Sequence, residues 1–94
     1  GPNVYGLRRA AHYYFGKHPR QLTVTEGLFL AALKPAPWQG ARFRTKGASP
    51  SSGFWYRRMT KLMRRLERAG VVTEQEVAQW SPYVVEFVTA TASR

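Results

Sequence analysis

The sequence has no cysteine, no aspartate and only two histidines. Without cysteine, disulfide scaffolds, zinc fingers and thiol chemistry are excluded. The five acids are all glutamates, Glu26, Glu67, Glu74, Glu76 and Glu86. They are too few to build a Ca²⁺ or Mg²⁺ cage. His12 and His18 have no third partner that would complete a metal site. There is no Gly-x-Ser-x-Gly, no Walker loop and no dinucleotide-binding glycine pattern, so no cofactor is expected. No uncharged run approaches the roughly 20 residues needed to cross a bilayer, and no signal-peptide pattern opens the sequence.

Against these absences stands base. Fifteen Lys and Arg over 94 residues leave a net charge of +10. That excess points to an anionic contact, whether nucleic acid, a phosphorylated ligand or a membrane surface. An apolar fraction of 44% separates the chain from disordered sequences and suffices for a modest core.

Periodicity predicts an all-α chain of four helices interrupted by one long loop. The first helix is expected over Val4 to Phe15, capped by Asn3 and stopped by Gly16. At roughly 100° per residue, Leu7, Ala10, Ala11 and Tyr14 share one face, and Arg8, Arg9 and His12 the opposite one. Thr23-Val24-Thr25-Glu26 is a capping box opening a second, almost wholly apolar helix that Pro35 and Pro37 end. Residues 34–52 are rich in Pro, Gly, Ser and base (Lys34, Arg42, Arg44, Lys46) and are expected to form a functional or mobile loop. In the third helix, about Gly53 to Ala69, Arg57, Arg58, Lys61, Arg64, Arg65 and Arg68 fill an arc of roughly 120°. Trp55, Met59, Leu62, Met63, Leu66 and Ala69 fill another, roughly opposite. Gly70 closes that helix. Thr73-Glu74-Gln75-Glu76 is a second capping box, with Val72 placed to staple against Val77. Residues 1–80 are expected to form the domain portion, and 81–94 a tail, extended or a short strand over 83–89.

A catalytic apparatus is hard to find. Glu26, Glu74 and Glu76 stand at helix starts, where capping accounts for them. Glu67 is placed to pair with arginines of its own helix, and Glu86 lies in the tail. His12 shares the Arg8 and Arg9 face, and His18 precedes Pro19 in a turn. The Tyr13-Tyr14-Phe15 and Phe54-Trp55-Tyr56 runs are expected in the core rather than as stacking platforms. The basic helix is the stronger signal. Six like charges in about three turns repel one another, and a polyanionic partner would offset that cost.

The residues also carry a resemblance. Val4-Tyr5-Gly6-Leu7, Ala10-Ala11, Tyr14-Phe15-Gly16-Lys17, Leu22-Thr23-x-x-Glu26 and Leu30-Ala31 together resemble a stretch of glycosyltransferase family 51. These are the bacterial peptidoglycan glycosyltransferases of class A penicillin-binding proteins and their monofunctional relatives. Arg58-x-x-x-Leu62-Met63-x-x-Leu66-x-x-x-Gly70 resembles the last motif of that family, followed by Val71-Val72-Thr73-x-x-Glu76. The similarity extends over residues 1–78.

It implies the C-terminal lobe of a lysozyme-like, mostly helical domain at the outer face of the bacterial cytoplasmic membrane. The substrate it implies is lipid II or another pyrophosphate-lipid, and an anionic membrane surface is a further implied partner. The family's catalytic glutamate lies in an E-D-x-x-F-x-x-H motif that precedes this segment. The chain is therefore expected to be a fragment or truncated relative, inactive without a missing N-terminal lobe. Residues 35–53 are longer and more basic than the resemblance leads one to expect.

Arg58 maps onto the motif arginine. It can hold a phosphate bidentately, or tie its helix to the rest of the domain as a structural partner. Lys17 is a second candidate for substrate contact. Arg57, Lys61, Arg64, Arg65, Arg68, Arg42, Arg44 and Lys46 form the candidate basic surface.

Two other readings compete. Leu66 to Thr73 resembles a helix-turn-helix junction, which suggests a small basic nucleic-acid-binding module. Against it, the basic helix precedes the turn, whereas a recognition helix follows it. A peripheral membrane-surface module resting on the basic helix is the other.

Overall fold

The computed structural model describes residues 2–33 and 38–88, and these form five α-helices with no strand among them. Helix α1 spans Pro2–Phe15 and begins one residue before the cap expected at Asn3. Proline suits a first helical position because its missing N–H has no intrahelical partner there anyway. The helix stops at Gly16, whose φ of 63° is the left-handed conformation that glycine adopts without a Cβ penalty. A 3₁₀ turn, Pro19–Gln21, follows and is capped by His18. Helix α2, Val24–Ala32, opens with the expected capping box: Glu26 N–H donates to Thr23 Oγ1 at 3.1 Å, and Thr23 N–H donates to Glu26 Oε1 at 2.9 Å. Lys34, Pro35 and Pro37, read as the end of that helix and the start of the loop, lie outside the described residues, as do residues 89–94.

The long loop is corrected. Within 34–52, residues Trp38–Lys46 form a helix, α3. Its half-buried Phe43 packs beside Phe29 (ring centroids 6.4 Å) and Trp55 (5.0 Å), both core residues. Gly40 lies so close to the Tyr14 hydroxyl that a Cβ at this position would collide with it. Arg44 Nε donates to the Tyr13 carbonyl at 3.1 Å. Tertiary contacts of this kind hold a nine-residue helix that would be marginal alone.

Helix α4, Gly53–Arg68, and α5, Glu74–Gln79, follow the expected boundaries closely. Gly70, at φ 78°, ends α4 in a Schellman arrangement: Val71 N–H donates to Leu66 O at 2.9 Å and Gly70 N–H to Glu67 O at 3.0 Å. The second capping box also forms, with Thr73 and Glu76 exchanging bonds of 2.8 and 3.1 Å. Val72 and Val77, the proposed staple, are both buried.

The core gathers Ala11, Tyr14 and Phe15 from α1 with Leu28, Phe29 and Ala32 from α2. Trp55, Met59 and Met63 of α4 close it from the other side. Residues 83–88, read as the start of a tail, run extended and alternate, with Tyr83, Val85 and Phe87 buried. Backbone bonds hold this segment in place: Val88 N–H donates to Tyr14 O (3.0 Å), Phe87 N–H to Gly47 O (3.0 Å) and Ser49 N–H to Val85 O (2.9 Å). An isolated bridge pairs Ala48 with Glu86.

Candidate functional site

The candidate surface is built on α4, whose sequence sorts its residues onto two faces. Trp55, Met59 and Met63 are buried, whereas Arg57, Arg58, Lys61, Arg64, Arg65 and Arg68 are all exposed. The six bases expected on one arc therefore stand together on the open side of the helix. Glu67, expected to neutralise part of them, forms no ion pair with the arginines of its helix. Among the described residues an ion pair joins Lys17 Nζ to Glu26, at 3.0 Å from each carboxylate oxygen.

Arg58 stands where α4 meets the end of α2. Its Nε donates to the Ala32 carbonyl at 3.3 Å. That carbonyl belongs to the last turn of α2, whose C=O groups lack helical partners, so the contact satisfies an orphan acceptor and sets a cation at a helix C-terminus. Beside it opens a cleft of about 490 Å³ lined by Gln39, Phe43, Phe54, Trp55 and Arg58. Three aromatic side chains share its wall with one guanidinium, one amide and the Ser52 hydroxyl. Trp55 is buried, and its indole N–H has no hydrogen-bond partner among the described residues.

Lys17 lines a different cleft, of about 450 Å³, with Arg8, Arg9, His12 and His18. The structure thus separates the two substrate-contact candidates, Lys17 and Arg58. Lys17 is held by Glu26, whose carboxylate also caps α2, so much of its charge is already answered. His18 is structural: its Nδ1 accepts from Arg20 N–H at 3.1 Å. The bases of the former loop divide as well. Arg42 and Lys46 are exposed, while Arg44 is half-buried with its guanidinium 4.2 Å from the Tyr13 ring centroid.

The glutamates leave little for acid–base work. Glu26 and Glu76 complete capping boxes, and Glu74 lies in the first turn of α5. Among the described residues no three His, Cys, Asp or Glu converge to hold a metal. Two buried phenols are perturbed. Burial raises the pKa of Tyr14, with Tyr13 adding to the effect and Arg44 opposing it. Burial also raises Tyr83, whose hydroxyl donates to the Val77 carbonyl at 2.7 Å. Both hydroxyls stay protonated well past neutrality, and Tyr83 serves as a clasp between α5 and the extended segment.

Two aromatic residues expected in the core are exposed, Tyr13 (46%) and Phe54. Phe54, grouped with Trp55 and Tyr56 as core, is 88% exposed, and the Arg57 guanidinium lies 5.1 Å from its ring centroid. The signal was present in the helical spacing, since positions 54, 57, 58, 61, 65 and 68 share a face. Gln39 and Phe43 were missed as cleft residues because their helix was read as loop.

Comparison with known proteins gives a consistent family. The family model described as Transglycosylase matches residues 1–67. A biosynthetic peptidoglycan transglycosylase of Aeromonas hydrophila is 38% identical over 79 residues, covering 84% of this chain and 31% of that protein. Its counterpart in Shewanella amazonensis is 32% identical over 77 residues, 82% of this chain and 29% of that protein. Penicillin-binding protein 1F of Bacillus subtilis is 54% identical over 37 residues, which are 39% of this chain and 5% of that protein. The chain spans less than a third of the length of the first two relatives. No solved structure matches. No helix among the described residues is long and apolar enough to cross a membrane.

Proposed function

This chain belongs to the transglycosylase family, and from that membership we propose that it forms the C-terminal part of a lysozyme-like peptidoglycan glycosyltransferase domain. The domain would polymerise lipid II into glycan chains at the outer face of the bacterial cytoplasmic membrane. One observation carries most of the weight. The segments bearing the family-like strings, α1 with the turn after it, the capped start of α2, and α4, pack as one unit, with Arg58 fastened to the end of α2.

In this reading the segment supplies scaffold and cationic surface, not the catalytic carboxylate. Two of its glutamates are held in capping boxes, and the family's glutamate motif belongs upstream. Alone, the 94 residues would make no glycan. Joined to the N-terminal lobe, Arg58 would keep its Nε on Ala32 and turn the rest of its fork toward a pyrophosphate-lipid. Lys17, already paired with Glu26, would contribute less.

The nucleic-acid reading finds little to rest on. The helix after the Gly70 turn is six residues long and carries Glu74 and Glu76 in its first turn. Such a helix would repel a phosphate backbone rather than read a groove.

A chimera tests the proposal. Residues 1–80 replace the homologous stretch of the Aeromonas enzyme, and polymerisation of detergent-solubilised lipid II is followed. The expected result is glycan chains. A chimera with the parent's circular dichroism and elution volume that makes no glycan, while the parent does, would overturn it.

A further inference from the structure

Helix α4 carries a charged face that the described residues leave uncovered. Its 16 residues extend about 24 Å at 1.5 Å per residue. At roughly 100° per residue, its six exposed bases fall within an arc of about 120°, and Phe54 lies near the middle of that arc. The ring is 88% exposed at the first turn, with the Arg57 guanidinium 5.1 Å from its centroid. An exposed phenylalanine inside a ridge of arginines is costly in water, and the bases repel one another. The two costs are relieved together only where anionic charge and apolar material meet.

We infer that the outer face of α4 docks on an anionic lipid bilayer, with Phe54 as its apolar anchor and the bases lying against lipid phosphates. A straight ridge with one charge sign along its length matches a flat negative surface. Long Arg and Lys side chains place their charges at phosphate level while their stems follow the apolar boundary. The aromatic cleft beside Phe54 and Arg58 continues the apolar surface at the same end of the helix. Duplex DNA fits less well. The arc carries no Asn or Gln to read a base edge, and Phe54 would have no stacked partner in a closed duplex. The inference rests on α4 alone, so it stands or falls apart from the chimera assay, which contains no bilayer.

The test is sedimentation of the 94-residue chain with vesicles of phosphatidylcholine alone or with 30% phosphatidylglycerol. Binding is expected to the anionic vesicles and to weaken as salt rises. Phe54→Ala is expected to lower that affinity about tenfold or more. The double change Lys61→Gln and Arg65→Gln is expected to lower it about twenty-five-fold, at roughly fivefold per base. All of these positions are exposed, and circular dichroism and the thermal midpoint of each variant are expected to match the parent. Equal affinity for both vesicle types would overturn the inference. So would a folded Phe54→Ala chain that binds as the parent does, or tighter binding to duplex DNA than to anionic vesicles at the same ionic strength.

Discussion

The two faces of α4 obey different rules. Inward, Trp55, Met59 and Met63 are buried in the common core, with Trp55 against Phe29 of α2 and Phe43 of α3. Outward, six bases and an exposed phenylalanine share a surface that has almost no partner among the described residues. The inner face explains why the chain folds. The outer one adds repulsion to the folded state, so its cause is sought outside the described residues. Arg58 marks the boundary between them, since it is exposed yet bonded to α2.

The largest effect is expected on the inner face. Met59 is fully buried, and Met59→Ala is expected to destabilise by about 3 kcal/mol, through lost transfer energy and a residual cavity. Urea unfolding followed by tryptophan fluorescence measures this. A loss below about 1 kcal/mol would show that α4 is not anchored where the contacts place it. Arg58→Ala is expected to cost about 1 kcal/mol for the bond to Ala32, a value suited to an exposed charged donor. If the same change proves neutral, Arg58 belongs wholly to the outer face and the boundary disappears.

A pH series probes the flank of α4, where Tyr83 stacks on Tyr56 with centroids 6.2 Å apart. Tyr14 and Tyr83 both have raised pKa values, first through burial, against an ordinary value of 10.0. The unfolded chain therefore releases those protons at lower pH than the folded one. Their contribution is fully present below about pH 10 and is lost as pH rises through the raised folded values. Unfolding free energies from pH 8 to 11 should fall over that upper range, and Tyr83→Phe should flatten part of the fall. A stability that is level up to pH 11 would place the phenols in solvent.

These elements differ in how readily they could be read. The starts of α2 and α5 were legible because a capping box is local chemistry, complete within four residues. Helix α4 was legible because its apolar and basic residues alternate at helical spacing, and Gly70 announced its end. Helix α3 was not. No capping box announces it in the sequence, and the Pro, Gly and Ser around it signal a loop. What makes it helical is distant in sequence: Phe29 and Trp55 around Phe43, and Tyr14 against Gly40. The burial of Tyr83, Val85 and Phe87 was only half legible, since alternation shows which residues share a side but not whether that side is covered. At the candidate site, the six exposed bases could be foreseen from spacing. The exposure of Phe54 was legible in the same spacing, but composition, which places a phenylalanine beside tryptophan and tyrosine in a core, pointed the other way. The family-like strings pointed to the same family as the comparisons.

The smallest expected effect on folding is also the most informative. Lys61→Gln, Arg64→Gln and Arg65→Gln together remove half of the ridge without touching a buried side chain. Unfolding free energy and affinity for anionic vesicles should be measured on the same preparation. Stability within about 0.5 kcal/mol of the parent together with roughly a hundredfold loss of vesicle affinity is the expected result, assigning the outer face to a partner. A stability loss above about 1 kcal/mol with vesicle affinity unchanged would contradict it, and would return the bases of α4 to the work of holding the fold.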